Sequence, residues 1–288
     1  MSTLSGETLA RLTATVVVRA SALTGQLPAG SLDLAPLLYR AGGCVPDPRR
    51  DPRWAAHVVT AAARLAGDAL SGHDHSVTAH WQSWTRPGTD PDLLIHKIYV
   101  SPLVDDLAAT LRVVLAAAPL LDVPAWKVGA DLAGLHRPDK IVLYLPDAAR
   151  ADTTATALAE GLAGIRAQGV PFTGQVGPTR LVSRGRDVAG TSWRAEVCRL
   201  VADAVTAGRA TLGCTASAVE VAEHALDLVA RTGIDVETWH PTDTRQGTPA
   251  VTSTPATPPI QAATSSAAPP AAARAHRPGR WRLQVTCS

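Results

Sequence analysis

The sequence predicts an α+β fold: a helical N-terminal region, then a small, mainly antiparallel sheet flanked by helices, then a disordered C-terminal tail. Three observations predict it. Apolar residues recur at three- and four-residue spacing through much of the first ninety positions; short apolar or alternating segments separated by helical ones follow; and from about residue 245 the chain turns to Pro, Ala, Thr and Ser with almost no large apolar side chains. The implied division is a helical region over 1–90, an α+β domain over 91–235 and a tail over 245–288.

The elements follow in order. LARLTATVVVRASALTG (9–25) and DPRWAAHVVTAAARLAGDALSG (51–72) carry helical spacing, with Asp51 and Pro52 suited to opening the second helix and Gly72 to ending it. Strands are expected at 93–100, 124–129 and 140–145, and helices at 103–119, 150–168, 191–207 and 216–231. Thr191 or Ser192 suits the N-cap of the helix after it. The connector GADLAGLHRP, with two Gly and a Pro, reads as a loop. The tail cannot bury enough apolar surface to offset the entropy of ordering.

A chain of 288 residues, 46% hydrophobic and 18% charged, can bury a substantial core, and its net charge of +2 is too small to point to nucleic acid or an anionic membrane. Any basic site must be local. The longest apolar runs are broken by Asp, Arg and Pro well short of the roughly 20 residues that span a bilayer. The N-terminus lacks a secretion pattern, so a cytoplasmic location is expected. Cys44, Cys198, Cys214 and Cys287 form no C-x-x-C pair, which argues against a disulfide framework or a zinc knuckle. GHDHSVTAH, with His73, His75 and His80, matches no metal spacing and reads as a solvated loop rather than a metal site. There is no phosphate loop, no nucleophile elbow and no dinucleotide fingerprint, and kinase, hydrolase and dehydrogenase activities lose their usual support.

The unusual feature is cationic residues inside apolar strands. In IHKIYV, alternation puts Lys97 and Tyr99 on one face and His96 on the other. AWKV sets Lys127 between Trp126 and Val128, and RPDKIVLYLP places Lys140, Val142 and Tyr144 on one face, just after Arg137. Taken singly, a strand lysine is usually an edge residue reaching solvent. Brought together, such lysines repel unless a phosphate or carboxylate lies between them, and that repulsion can leave one of them neutral and usable as a base. RLVSRGRDVAGTSWRAEVCR adds Arg184, Arg186 and Arg194, whose forks suit phosphate oxygens, although pairing with Asp187 and Glu196 is an equal alternative for each.

KIYVSP, AWKVGAD, RPDKIVLYLP and TSWRAEVCRLVADAV, in this order, resemble the HopA-type effector family, itself similar to the phosphothreonine lyases and to lyase components of lanthipeptide-type dehydration systems. The likeness spans roughly 90–210, with an echo in APLLYRAGG. It implies a metal-free and cofactor-free elimination: a phosphorylated Ser or Thr in a precursor peptide loses its α-proton and its phosphate. By this resemblance Lys127 is the base, Lys97 stabilises the enolate-like charge, and Arg137 and Tyr144 meet the phosphate, with Lys140, Arg184, Arg186 and Arg194 as further binding residues. The lyases carry a histidine as general acid where this chain has Tyr99, a weaker acid at neutral pH; either Tyr99 acts catalytically as a hydrogen-bond donor to the leaving phosphate, or catalysis is lost.

Two function classes therefore stand. One is a phosphoserine/phosphothreonine lyase-like enzyme working on a precursor peptide phosphorylated by a separate kinase, with a cyclase as a further partner. The other is a catalytically silent module that binds the precursor or scaffolds those partners, as the exchange to Tyr99 suggests. A host-directed effector ranks below both.

Overall fold

A computed structural model of the chain describes residues 8–26, 33–43, 70–188 and 191–242, with scattered positions between 53 and 64. They all fall within one unit that runs to Arg245. Half of the stretch 51–72, where a helix is expected, and the whole tail from 245 lie outside these residues.

The frame is a seven-stranded sheet in the order β1-β2-β4-β5-β3-β7-β6, antiparallel at every neighbouring pair. Its strands are β1 Asp74–Val77, β2 Trp81–Thr85, β3 His96–Val100, β4 Ala125–Gly129, β5 Ile141–Leu145, β6 Gly174–Val176 and β7 Val182–Arg186. Around it lie α1 Leu9–Thr24, α2 Leu34–Arg40, α3 Leu107–Leu120, α4 Leu132–His136, α5 Ala148–Gly161, α6 Trp193–Leu212 and α7 Ala218–Ala230. A two-stranded ladder, β8 Ile234–Asp235 with β9 His240–Pro241, follows. Among the described residues no helix is long and apolar enough to cross a membrane.

Alternation along the strands gives the sheet two different faces. Trp84, Trp126, Leu143 and Ile98 stand opposite one another on one face, and α3 and α5 cover it with Leu111, Val114, Leu115 and Leu158. The spacing of Leu107, Leu111, Val114, Leu115 and Ala118 explains why α3 packs there. A second core joins α1, α2, α6 and α7 through Val17, Leu38, Val197, Val201, Val221 and Val229. Part of the other sheet face rests on this bundle: a side chain on Gly185 would meet Trp193 at 2.7 Å, so α6 packs directly on bare β7 backbone.

The expectations for the elements need four corrections. The stretch before residue 90 is not helical throughout, because β1 and β2 lie in it and the sheet continues from β2 straight into β4. GADLAGLHRP contains a helix, α4, since the Asp131 side chain accepts from Gly134 N and opens one. The helix expected over 150–168 ends at Gly161. Ser192 occupies the N-cap of α6 without a capping bond, while Asp187 Oδ1 accepts from Trp193 N at 2.9 Å and takes that role.

Candidate active site

The antiparallel register assembles a polar patch on the second sheet face. One row runs Ser83, Lys127, Val142, Tyr99, Ser183; the next runs Ala125, Tyr144, Lys97, Gly185. Residues directly opposite in a ladder share a face, so Lys127, Tyr144, Lys97 and Tyr99 are neighbours there.

Lys127 points between two rings. Its Nζ lies 4.1 Å from the Trp81 ring centroid and 5.7 Å from that of Tyr144, and among the described residues no carboxylate pairs with it. Burial lowers its pKa from 10.5 to about 8, and Asp139 opposes this only in part. A strand lysine between aromatic faces is thus partly neutral close to physiological pH.

Lys97 has the contrasting environment. It is 8% exposed, forms an ion pair with Asp187, and its Nζ lies 5.3 Å from the same Tyr144 ring. The two lysines thus flank one tyrosine. Burial raises the Tyr144 pKa, so the ring keeps its proton. Tyr99 is 3% exposed, its hydroxyl has no hydrogen-bond partner among the described residues, and burial pushes its pKa well up. A phenol in that state is a poorer proton donor than an exposed one.

A guanidinium cluster borders the lysines. Arg137 stacks 5.1 Å from Trp81 and 5.6 Å from Tyr39, and its Nε and Nη2 donate to the two oxygens of Asp139 at 2.9 and 3.1 Å. Asp139, 4% exposed, also pairs with Arg194 at 3.0 Å. Burial alone would raise the Asp139 pKa, but Arg194 and Arg137 outweigh it and hold the carboxyl well below its usual range. Tyr39 lies 4.5 Å from the Arg194 guanidinium, and burial raises its pKa to about 12. Gly129 makes this corner possible: a Cβ there would come within 2.5 Å of the Gly134 backbone, so only glycine lets α4 approach β4 and deliver Arg137 beside Trp81.

Three of the expected binding residues are not in the patch. Lys140 is fully buried and donates to Pro102 O and Gln168 Oε1, which ties it into the core. Arg184 and Arg186 stand opposite Ile98 and His96, so the period of two turns them to the far face of the sheet. There Arg184 pairs with Asp152 and donates from Nε to His240 Nε2 at 3.0 Å. Arg194 does join the cluster, but at 0% exposed it supports the site from inside. GHDHSVTAH, read as a solvated loop, is in part a strand, since Asp74–Val77 pairs with β2; within it His75 stacks on Trp84 at 4.7 Å and His80 bonds to Asp131 at 2.9 Å. Sequence reasoning missed the roles of Trp81, Asp139 and Tyr39, and it named Asp187 only as an arginine partner. The aromatic pair in WQSW was the one available signal.

No protein-family profile and no curated protein matches the chain. Solved structures do. An effector protein from Pseudomonas syringae pv. tomato strain DC3000 aligns with TM-score 0.51 at 11% identity, over 80% of this chain and 97% of that one. An effector from Pseudomonas syringae pv. syringae strain 61 gives 0.49 at 14% identity over 80% and 97%. The type III effector and phosphothreonine lyase OspF from Shigella flexneri gives 0.37 at 10% identity over 60% and 87%. The first of these shows that the fold is shared.

Proposed function

We propose that the chain is a phosphate-eliminating lyase acting on phosphoserine or phosphothreonine in a peptide. The observation that carries this reading is one tyrosine flanked by two lysines in different surroundings, Lys127 with no carboxylate partner among the described residues and a pKa of about 8, and Lys97 paired with Asp187. The α-proton beside an amide is weakly acidic, so its removal needs a neutral amine and a cation at the oxygen where charge builds. Neutral Lys127 takes the α-proton, the electron pair forms the Cα–Cβ double bond, and the Cβ–O bond breaks to release phosphate. Lys97 donates to the carbonyl oxygen of the reacting residue, and Arg137 faces the phosphate. At pH 7 about one Lys127 in ten is in the reactive form.

The resemblance to lyase components of lanthipeptide-type systems extends the proposal to a ribosomal precursor peptide, phosphorylated by a separate kinase and passed on to a cyclase. A second reading, a silent module that binds the phosphopeptide, is favoured by one observation: Tyr99 is buried and stands where a lyase would need an accessible acid. Incubation with a synthetic phosphothreonine peptide decides between them. Mass spectrometry shows loss of phosphoric acid with the wild type and none with Lys127→Ala if the lyase reading holds; phosphate-dependent binding without loss identifies the module.

A further inference from the structure

Arg137 stands between Trp81 on the lysine side and Tyr39 on the other, and beyond it a cleft of about 210 Å³ opens between α2 and α4. Tyr39, Ala133 and Pro138 give it an apolar lining, Arg40 and Arg137 contribute its charges, and among the described residues no carboxylate lines it. We propose that this cleft receives an apolar side chain of the substrate peptide within three residues of the phosphorylated one. The inference rests on the phosphopeptide reading given above and extends it to sequence preference.

Two observations select this occupant. Asp139 is one carboxylate shared by Arg137 and Arg194, so among the described residues one positive charge of that cluster stays uncompensated at the wall common to the cleft and the lysine patch. A purely apolar ligand has no use for that charge, whereas a phosphopeptide places its anion there. An extended peptide advances about 3.3 Å per residue, so a chain with its phosphate at Arg137 carries the next few side chains past Tyr39 and Ala133.

The test is fluorescence anisotropy with phosphothreonine peptides that have either Ala or Leu at the three positions on each side, plus the unphosphorylated Leu peptide. Burying one Leu side chain makes the wild type bind the Leu phosphopeptide roughly tenfold tighter than the Ala one. Ala133→Phe, at an exposed position of α4, fills the cleft and brings that ratio close to one, with Ala133→Leu falling between. Equal wild-type affinity for the two phosphopeptides overturns the cleft proposal, and so does a ratio that survives in Ala133→Phe; in either case phosphate dependence leaves the reading of the lysine site standing. Equal binding of the phosphorylated and unphosphorylated Leu peptides overturns that reading and, with it, the charge argument for the cleft.

Discussion

Replacing Lys127 by Met keeps a long unbranched side chain beside Trp81 and removes the amine. Burial lowers the folded-state pKa from 10.5 to about 8, so holding the ammonium in place costs roughly 3 kcal/mol, at about 1.4 kcal/mol per unit. Attraction to the Trp81 face, of order 1 kcal/mol, returns part of that. The folded pKa lies below the unfolded one, so the unfolded chain holds more protons between pH 8 and 10.5 and stability due to this residue rises with pH across that window. Below about pH 8 the penalty is fully present; by about pH 9.5 roughly 2 kcal/mol of it is relieved. The Met variant is therefore expected to exceed wild type by roughly 2 kcal/mol at neutral pH, with the gap close to zero near pH 9.5. Urea unfolding of both proteins at several pH values measures this, and taking the difference at each pH cancels the other titrating groups, Tyr39 and Tyr144 among them. A variant less stable than wild type at pH 7, or a gap that stays flat through the window, refutes the argument that Lys127 occupies a desolvated place.

On the lyase reading, phosphate elimination rises with pH and levels off above about 8 as Lys127 loses its proton; a flat profile in single-turnover assays assigns the base elsewhere. Asp139→Asn leaves Arg194 buried and uncompensated and is expected to lower stability by about 3–5 kcal/mol, read by thermal or denaturant unfolding. Gly129→Ala pushes α4 off β4 and should cost about 1–3 kcal/mol, with weaker phosphopeptide binding because Arg137 follows α4 directly. Tyr99→Phe removes a buried hydroxyl with no partner among the described residues and should raise stability by about 1 kcal/mol; a loss of stability in the same assay shows that the hydroxyl is bound.

The central strands were legible because IHKIYV, AWKV and KIVLYL are apolar runs bounded by turn residues, and the lysines stood out against them. The flanking strands were not. WQSWT and DHSV are short and half polar, and VSRGR has two arginines and a glycine, so nothing local separates them from loop; only pairing, of WQSWT with β4, of DHSV with β2 and of VSRGR with β3, makes them strands. Partners were harder still. Lys97 reaches Asp187 and Arg194 reaches Asp139 across wide gaps in sequence, and such contacts depend on strand order, which short-range spacing does not encode. Alternation did set the faces of β3 correctly: His96 opposes Arg186 on the far side, away from Lys97. Applied to VSRGR, the same rule would have excluded Arg184 and Arg186 had its register with β3 been known.

Lys97 and Lys127 show how a sheet can give one residue type two environments. They share a face and flank one tyrosine, but β7 ends beside Lys97 and its following residue, Asp187, brings a carboxylate, whereas β2 brings the Trp81 indole to Lys127. A carboxylate favours the ammonium; desolvation against rings favours the amine. The Asp187 carboxylate is also fixed, since its second oxygen caps α6 through Trp193 N, so it cannot swing towards Lys127 without uncapping a helix. Asp187→Asn therefore separates the two effects. It takes the carboxylate away from buried Lys97 but keeps an oxygen for the cap, so the helix start survives while the unpaired ammonium costs about 3 kcal/mol, and an incoming phosphate is drawn to Lys97 as well as to Arg137. On the lyase reading this variant binds phosphopeptide more tightly and eliminates more slowly, because its ground state gains a contact that the transition state does not need. Tighter binding with faster elimination would show that Asp187 restrains the lysine, and the division of labour between the two amines would then have to be drawn differently.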